Sequence, residues 1–136
     1  MACFDTSFIL DLMGKGGAKR EARADTLLRD MTDRGDSLTT TRFTVAELSV
    51  GVHLASDPGW EKRRIQAALR DFQILEFDSD GAERFGLIQA LLRKTGQLIG
   101  DFDVLIAAVC LQYDETLVTA NPGHFQRVPN LRIETY

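Results

Sequence analysis

The chain has 136 residues, of which 44% are hydrophobic and 26% are charged, and its formal net charge is −4. This composition is typical of a globular protein, and the length lies in the usual range of one domain. We therefore expect a single domain spanning residues 1–136, without repeats or linkers. The acidic balance argues against a general nucleic-acid coat protein, but it is compatible with an enzyme that has clustered carboxylates.

Cys3 and Cys110 both lie in apolar runs, which favours two buried free thiols over a disulfide or a metal pair. The start of the chain reaches a charged residue, Asp5, too early for the apolar segment of a signal peptide. No stretch approaches the apolar length of a membrane helix. We therefore expect a soluble, cytoplasmic protein with no membrane partner.

Short apolar runs alternate with helix-forming stretches along the chain. The predicted strands are 2–4, 37–40, 74–77, 116–120 and 131–134. The predicted helices are 7–13, 18–34, one that starts at 44, 60–70, 80–95 and 101–113. Helices between consecutive strands indicate an α/β fold, in which a mainly parallel sheet of four or five strands has helices on both faces.

Polar and acidic residues from distant segments are predicted to meet at one edge of this sheet. Asp5 directly follows the first strand, and open parallel sheets bind ligands at the carboxyl ends of their strands. Glu47 is placed in the first turn of the helix after the second strand. The helix that begins at Asp101 runs antiparallel to the next strand, so Asp101 and Asp103 return to the same edge. Asn121 follows the fourth strand and lies there too.

Carboxylates that are packed together repel one another, so such a group favours either protonation or a bound cation. Mg²⁺ and Mn²⁺ prefer oxygen ligands, and they keep several waters where protein carboxylates are few. Such a cation lowers the pKa of a water and neutralises charge on a phosphodiester. The pattern therefore predicts that Asp5 and Asp103 hold a metal, with Glu47 bound directly or through water, and that the site hydrolyses a phosphate backbone.

Asp5 and Glu47 also have simpler explanations. Asp5 is placed to cap a helix, a role for which aspartate is well suited. Residues 44–47 match the S/T-x-x-E pattern of a capping box, in which the Glu47 side chain would accept from the Thr44 N–H. Taken alone, the capping box is the better explanation of Glu47.

Asp101 and Asp103 stand at the start of a predicted helix, where the macrodipole favours acidic residues. For Asp101 this explanation and a role in the site both remain open. For Asp103 the apolar run 104–109 indicates a buried helix, and an acid on such a helix needs a partner or an ion. The metal site is therefore the better explanation of Asp103.

The remaining acids and the histidines show no comparable convergence. We expect solvated faces or helix caps at Asp11, Asp25, Asp30, Asp33, Asp78 and Asp80. His53 and His124 have no metal-ligand spacing and no serine or cysteine partner motif. A histidine-based catalytic triad is therefore not expected.

Four segments match the pattern of a known family in its order along the chain. They are FDTS at 4–7, TVAELSVG at 44–51, GQLIGDFDVLIAA at 96–108 and LVTANPGHFQRVPNL at 117–131. Together they resemble the PIN-domain toxins of the VapBC toxin–antitoxin systems, essentially from end to end. The resemblance implies a PIN-like three-layer fold and an endoribonuclease that depends on Mg²⁺ or Mn²⁺.

The resemblance also implies which residues form the site. The family's first three acids fall on Asp5, Glu47 and Asp103, whereas Asp101 lies at a more permissive position. Many relatives carry aspartate after the last core strand, where this chain has Asn121. Asparagine can orient a water or a ligand but brings no charge, so one or two metals remain open. In the same loop, the hydroxyl of residue 119 is an expected partner.

The partners implied by the resemblance are a cognate VapB-type antitoxin that holds the toxin inactive and an RNA substrate such as tRNA or rRNA. It also implies a homodimer or a dimer-based hetero-oligomer. The helices on either side of 57–59 are expected to form a groove for the antitoxin. The basic residues expected near the acidic edge are Arg42, Arg93, Lys94 and Arg127. The apolar residues assigned to the groove, a dimer contact or the core are Phe8, Leu12, Val50 and Leu54.

Other functions fit an α/β unit with an acidic edge less well. A catalytically silent PIN-like domain that only binds is consistent with Asn121. A phospho-receiver signalling domain would need a lysine after a late strand, and no lysine stands there. A phosphatase with Asp5 as nucleophile would favour an acid two residues later, where this chain has Ser7.

Overall fold

The computed structural model describes residues 1–136 and contains one sheet of five strands. The strands are β1 Ala2–Phe4, β2 Leu38–Thr41, β3 Gln73–Leu75, β4 Thr116–Val118 and β5 Ile133–Glu134. Their spatial order is β3-β2-β1-β4-β5, and every neighbouring pair is parallel. The predicted α/β class with a parallel sheet is confirmed.

Seven helices accompany the strands. They are α1 Thr6–Leu12, α2 Ala18–Asp33, α3 Arg42–Leu54, α4 Pro58–Leu69, α5 Ser79–Thr95, α6 Asp101–Gln112 and α7 Pro122–Phe125. Most boundaries differ from the predicted ones by one or two residues. The short α7 was not predicted, because four residues are too few for a periodic apolar pattern. None of the helices combines the length and the apolar composition that crossing a bilayer requires.

Side chains of the central strands alternate between two apolar cores, one on each face of the sheet. Cys3 and its β4 neighbour Leu117 belong to the core that includes residues of α5 and α6. Phe4 and its neighbour Val118 belong to the core that includes residues of α1, α2 and α4. Cys3 and Cys110 are free and buried, as predicted.

The helix α6 is buried along most of its length, which confirms the prediction from its apolar run. Val104 and all residues of 106–110 are buried in the core shared with α5 and the sheet. Its first turn carries Asp101 and Asp103. Packing of the apolar part therefore fixes where these two acids lie.

The capping box at 44–47 was a wrong prediction. The helix α3 begins at Arg42, and Thr41 is its N-cap, because the Thr41 hydroxyl accepts a hydrogen bond from the Thr44 N–H at 3.0 Å. Thr41 ends β2 with an extended backbone, which places its hydroxyl over the first turn. Glu47 therefore lies in the second turn of α3, and its side chain accepts a hydrogen bond from Thr6.

Asp11 is also not solvated, contrary to the prediction. It is buried, the Tyr136 hydroxyl donates to its Oδ2 at 2.8 Å, and Arg20 Nη1 lies 4.0 Å from its Oδ1. Tyr136 is far away in sequence, so local pattern gives no sign of this contact. By contrast, Asp78 caps α5 as predicted, with its side chain accepting from the Gly81 N–H.

Replacing Thr41 with alanine should lower the free energy of unfolding by about 1–2 kcal/mol, because the first turn of α3 loses its side-chain acceptor. Thr41→Ser keeps the hydroxyl and is the matched control, so it should lose less stability. Urea unfolding followed by circular dichroism measures both variants. An alanine variant as stable as the wild type would contradict the assignment of Thr41 as the cap.

Candidate active site

A cavity of about 210 Å³ opens where β1 and β4 end and α6 begins. Its lining residues are Asp5, Thr6, Ser7, Leu10, Glu47, Asp103, Ile106, Asn121, His124 and Phe125. The cavity thus brings together three of the four acids expected at this edge, along with the asparagine after β4. Seven of its ten residues are polar or charged, so it is suited to binding a charged group rather than an apolar one.

Asp5 directly follows β1, is only 5% exposed, and caps α1. Its Oδ1 accepts from the Phe8 N–H at 3.1 Å and from the Ser7 hydroxyl at 2.6 Å. Its Oδ2 accepts from the Thr119 hydroxyl at 2.6 Å. Burial raises the pKa of Asp5, these hydrogen bonds oppose the rise, and the charge of Asp103 adds to it. Asp5 therefore both caps α1 and lines the cavity.

Glu47 enters the cavity from α3, and its Oε2 accepts from the Thr6 hydroxyl. Partial burial raises the pKa of Glu47, and the nearby charges of Asp103 and Asp5 raise it further. The hydrogen bond from Thr6 acts in the opposite direction. The three carboxylates are thus close enough to repel one another, which is the electrostatic conflict that the sequence predicted.

The loop after β4 is tied to Asp5 and to the first turn of α1 by hydrogen bonds of two hydroxyls. The Ala120 N–H donates to Ser7 Oγ at 3.0 Å, and the Asn121 N–H donates to Thr119 Oγ1 at 3.0 Å. Since both hydroxyls also donate to Asp5, they hold its carboxylate and position Asn121 at once. Thr119 was expected as a partner in this loop, whereas the role of Ser7 was missed.

His124, in α7, is a second cavity residue whose role the sequence did not predict. Its Nδ1 lies 3.2 Å from Asp103 Oδ2, and it is the one basic residue among those that line the cavity. Its position three residues after Asn121, just beyond the last core strand, was the signal that could have identified it. The prediction considered His124 only as a metal ligand or as a member of a catalytic triad, and it therefore did not include a contact with a carboxylate.

Asp101 is not among the residues that line the cavity. Its Oδ1 accepts a hydrogen bond from Gln89 Nε2 of α5 at 2.9 Å, so the side chain serves the contact between α5 and α6. Successive helix residues are separated by about 100°, so Asp101 and Asp103 point to nearly opposite sides of α6. The geometry therefore favours a role for Asp101 at the start of α6 over a role in the cavity.

The basic residues predicted near the acidic edge do not reach the cavity. None of Arg42, Arg93, Lys94 and Arg127 lines it. Arg42 Nε instead lies 3.1 Å from Glu76 Oε1, an exposed ion pair that raises the pKa of Arg42 and lowers that of Glu76. Arg127 Nη1 donates to the Leu98 carbonyl at 3.0 Å. Substrate phosphate in the cavity would therefore meet few protein cations.

A cation must bind here mainly through water and few carboxylates. No three histidine, cysteine, aspartate or glutamate side chains are grouped so that they could hold one ion together. Two carboxylate ligands, with a third carboxylate reached through water, match the preference of Mg²⁺ and Mn²⁺, whereas zinc sites are usually built from nitrogen and sulfur ligands. The raised pKa values of Asp5 and Glu47 indicate that added positive charge would stabilise the cavity. The donor set therefore fits a hard divalent cation.

Comparison with known proteins identifies the family. The family model described as PIN domain matches residues 2–131. The chain belongs to the PIN domain family. It is 37% identical over 94 residues to ribonuclease VapC2 of Haemophilus influenzae, which covers 69% of this chain and 71% of that protein. It is 28% identical over 94 residues to the tRNA(fMet)-specific endonuclease VapC of Salmonella typhimurium, with the same shares, 69% and 71%. The resemblance to VapC-type PIN domains is confirmed.

Solved structures give the same result for the fold. The chain matches a chain in the crystal structure of VapBC2 from Rickettsia felis bound to a promoter DNA fragment, with a TM-score of 0.84 and 23% identity. The match covers 99% of this chain and 98% of that chain. The predicted PIN-like arrangement of a parallel sheet between helices is thus confirmed.

Asp5 and Glu47 should make stability depend on pH in metal-free buffer. Folding raises the pKa of both carboxyls, so their contribution to stability is present below the ordinary carboxyl pKa and is lost as the pH rises through the raised values. As the pH rises above the ordinary carboxyl range, about 4, the wild type should therefore lose stability relative to Asp5→Asn/Glu47→Gln. Urea unfolding at each pH measures this difference.

The matched control is Asp101→Asn, which removes a carboxylate from the same helix turn as Asp103 but from outside the cavity. This variant should keep the pH dependence of the wild type. Parallel curves for the wild type and the double variant would show that the buried carboxylates carry no electrostatic cost.

Proposed function

We propose that this protein is the toxin of a type II toxin–antitoxin system, an endoribonuclease that requires Mg²⁺ or Mn²⁺ and is inhibited by a cognate antitoxin. Its membership of the PIN domain family and its VapC relatives, which are named as ribonucleases, support a nuclease. The observation that carries the proposal is the convergence of Asp5, Glu47 and Asp103 on one cavity at the carboxyl edge of the sheet.

In this proposal Asp5 and Asp103 hold the cation directly, and Glu47 holds it directly or through a water. When bound, the cation supplies positive charge for the phosphodiester and lowers the pKa of the attacking water. The fit of the donor set to a hard cation supports this assignment, as do the burial and the repulsion that together raise the pKa values of Asp5 and Glu47.

The protein's own residues hold these groups in place. Ser7 and Thr119 donate to the two oxygens of Asp5 and keep its carboxylate from rotating. The Thr6 hydroxyl does the same for Glu47. Asn121 lies at the rim, where its amide can both donate and accept, and we assign it the orientation of a water or a phosphate oxygen. Such preorganisation makes the electrostatic stabilisation of developing charge effective.

The proposed substrate is a structured RNA, such as tRNA or rRNA, cut in a single-stranded loop. The cavity of about 210 Å³ has room for a phosphate group but not for a base-paired helix. Loops present phosphates and unstacked bases that a protein can reach. The relative named as specific for tRNA(fMet) supports tRNA in particular. Because such RNA is found in the cytoplasm, we propose that the protein acts there.

A second proposed partner is a VapB-type antitoxin. The structures that the chain matches include several VapBC complexes, which supports such a partner. A groove of about 330 Å³ between α3 and α4 offers a surface, with Val52, Ile65 and Leu69 among its lining residues. Near the junction of these helices, Leu54 is 81% exposed and Trp60 is 50% exposed, whereas Phe8 lies in the core. We place an antitoxin segment here and propose a homodimer, alone or within the complex with the antitoxin.

Asp103→Asn should lower the rate of metal-dependent RNA cleavage by about 100-fold or more, because a charged ligand of the cation becomes neutral. Asp101→Asn, two residues earlier, is the matched control and should cut at nearly the wild-type rate. Cleavage of pooled RNA with Mn²⁺, compared with the same reaction in chelator, measures both. If the wild type cut no RNA in metal, the catalytically silent binding domain would replace the nuclease.

Leu54→Asp should weaken antitoxin binding by about tenfold or more, because it puts a charge on an exposed apolar residue beside the proposed groove. Cleavage of RNA without antitoxin should stay unchanged. Leu87→Asp on α5 is the matched control, since Leu87 is 75% exposed but lines a separate pocket with Leu91 and Leu111. Binding of each variant to the purified cognate antitoxin, measured by calorimetry, distinguishes the two surfaces. Equal weakening by both substitutions would move the antitoxin site away from α3 and α4.

A further inference from the structure

Phe102 is an exposed aromatic residue beside the acidic cavity. It stands in the first turn of α6, directly before Asp103, and 42% of it is exposed. Single exposed apolar residues are common on protein surfaces and need no explanation. An open aromatic ring next to a carboxylate that lines the cavity is a different case, because a substrate held in the cavity also passes close to the ring.

Two further phenylalanines hold this ring in place. The ring centroids of Phe43 and Phe102 are 6.5 Å apart with an angle of 69° between the ring planes, and those of Phe43 and Phe77 are 5.0 Å apart at 76°. Both pairs have an edge-to-face arrangement, which aromatic rings favour. Phe43 and Phe77 are partly buried and pack against the core that includes residues of α5 and α6. Phe102 is therefore the exposed end of a chain of three rings that is anchored in the core.

The ring lies on the side of the cavity that α3 and α6 form. Phe43 precedes Glu47 by four residues in α3, so these two side chains share one face of that helix. Phe43 contacts Phe102, and Glu47 enters the cavity. The aromatic contact therefore lies one helical turn from one carboxylate of the cavity and is adjacent in sequence to another.

The cavity has little positive charge with which to bind an RNA backbone. No lysine or arginine lines it, and Arg42 and Arg127, which were predicted near it, contact other groups. Contacts between such cations and phosphates normally supply most of the nonspecific affinity for nucleic acid. Stacking of a base on an aromatic ring is another source, and it strengthens binding by about tenfold or more for each base. Phe102 offers the kind of surface that this interaction requires.

We propose that the ring of Phe102 stacks on the base of an unpaired nucleotide next to the scissile phosphate. This inference rests on the proposed ribonuclease function and specifies how the same site favours loops. Bases in a double helix are stacked on one another, whereas a base in a loop can be splayed out onto an aromatic side chain. A base is joined to its phosphate through one sugar, so it reaches a residue adjacent to Asp103 when that phosphate is in the cavity. The platform selects single strands rather than one base, since every base has an aromatic face.

The test uses the full chain and a short single-stranded RNA that the wild type cuts once. Two further substrates lack the base at one or the other nucleotide that flanks the scissile bond, while the ribose and the phosphates remain. The variants are Phe102→Ala, Phe102→Tyr, which keeps the ring, and Leu91→Ala as a control. Leu91 is 39% exposed, nearly as much as Phe102, but does not line the cavity. Values of kcat/KM are measured with Mn²⁺ for every pair of enzyme and substrate.

For the wild type, removal of the base at one of the two positions should lower kcat/KM by about tenfold. Phe102→Ala should lose about the same factor on the intact RNA and less than about twofold more on the abasic RNA, because both changes remove the same contact. Phe102→Tyr should respond to base removal as the wild type does. Leu91→Ala should match the wild type on all three substrates.

Binding gives a readout that does not depend on cleavage. RNA that carries 2-aminopurine in place of a base is titrated with protein in Ca²⁺, and the fluorescence of this base is quenched when it stacks. The wild type and Phe102→Tyr should quench it at one position in the strand. Phe102→Ala should leave it bright at protein concentrations that saturate binding, which fluorescence anisotropy of an end label measures.

Two results would overturn the inference. One is a wild type that is indifferent to base removal at both positions, and the other is a Phe102→Ala variant that loses as much to base removal as the wild type does. The second result, together with a change of oligomeric state in sedimentation, would assign the ring to a contact between two copies of this chain. If no RNA were cut at all, the proposed function would fail, and the quenching of 2-aminopurine would still decide the stacking.

Discussion

The carboxylate of Asp5 is the point on which the site depends. It lies at the end of the central strand β1, is almost fully buried, and accepts hydrogen bonds from Phe8, Ser7 and Thr119. These bonds join the start of α1 to the loop after β4, so the carboxylate that we propose as a metal ligand also connects two segments at the edge of the sheet. The helix cap, the loop anchor and the proposed ligand are therefore one residue.

The clustered carboxylates that the proposed function requires lower the stability of the fold. Burial and mutual repulsion raise the pKa values of Asp5 and Glu47, so the cavity is under electrostatic strain when its carboxylates are ionised. Hydroxyls of Thr6, Ser7 and Thr119 reduce this strain without neutralising it. A divalent cation or a cationic side chain of a partner would relieve it in the same way. The same electrostatics therefore serve both the proposed activity and its proposed inhibition.

The sequence predicted the parts of the site that follow from chain direction and missed those that depend on packing. Asp5 and Asn121 were placed because they follow buried strands, and Asp103 because its helix is apolar. The helix α3 starts earlier than expected because two threonines could cap it, and the end of β2 selects Thr41. The sequence left the role of Asp101 open, since the packing of α6 against α5 decides which acid faces the cavity. His124 was missed because α7 is too short for a periodic pattern.

The topology also determines at which stage of protein synthesis the cavity can form. β1 is made first by the ribosome, but Asp5 and the Thr119 hydroxyl that fixes it are 114 residues apart in sequence. A nascent chain therefore has its first carboxylate long before it has Asp103, and it completes the cavity only when β4 and α7 have emerged. A growing chain on the ribosome therefore lacks the complete cavity, and the proposed cleavage can begin only after the last strands have been synthesised. The proposed antitoxin then needs to recognise only the finished chain.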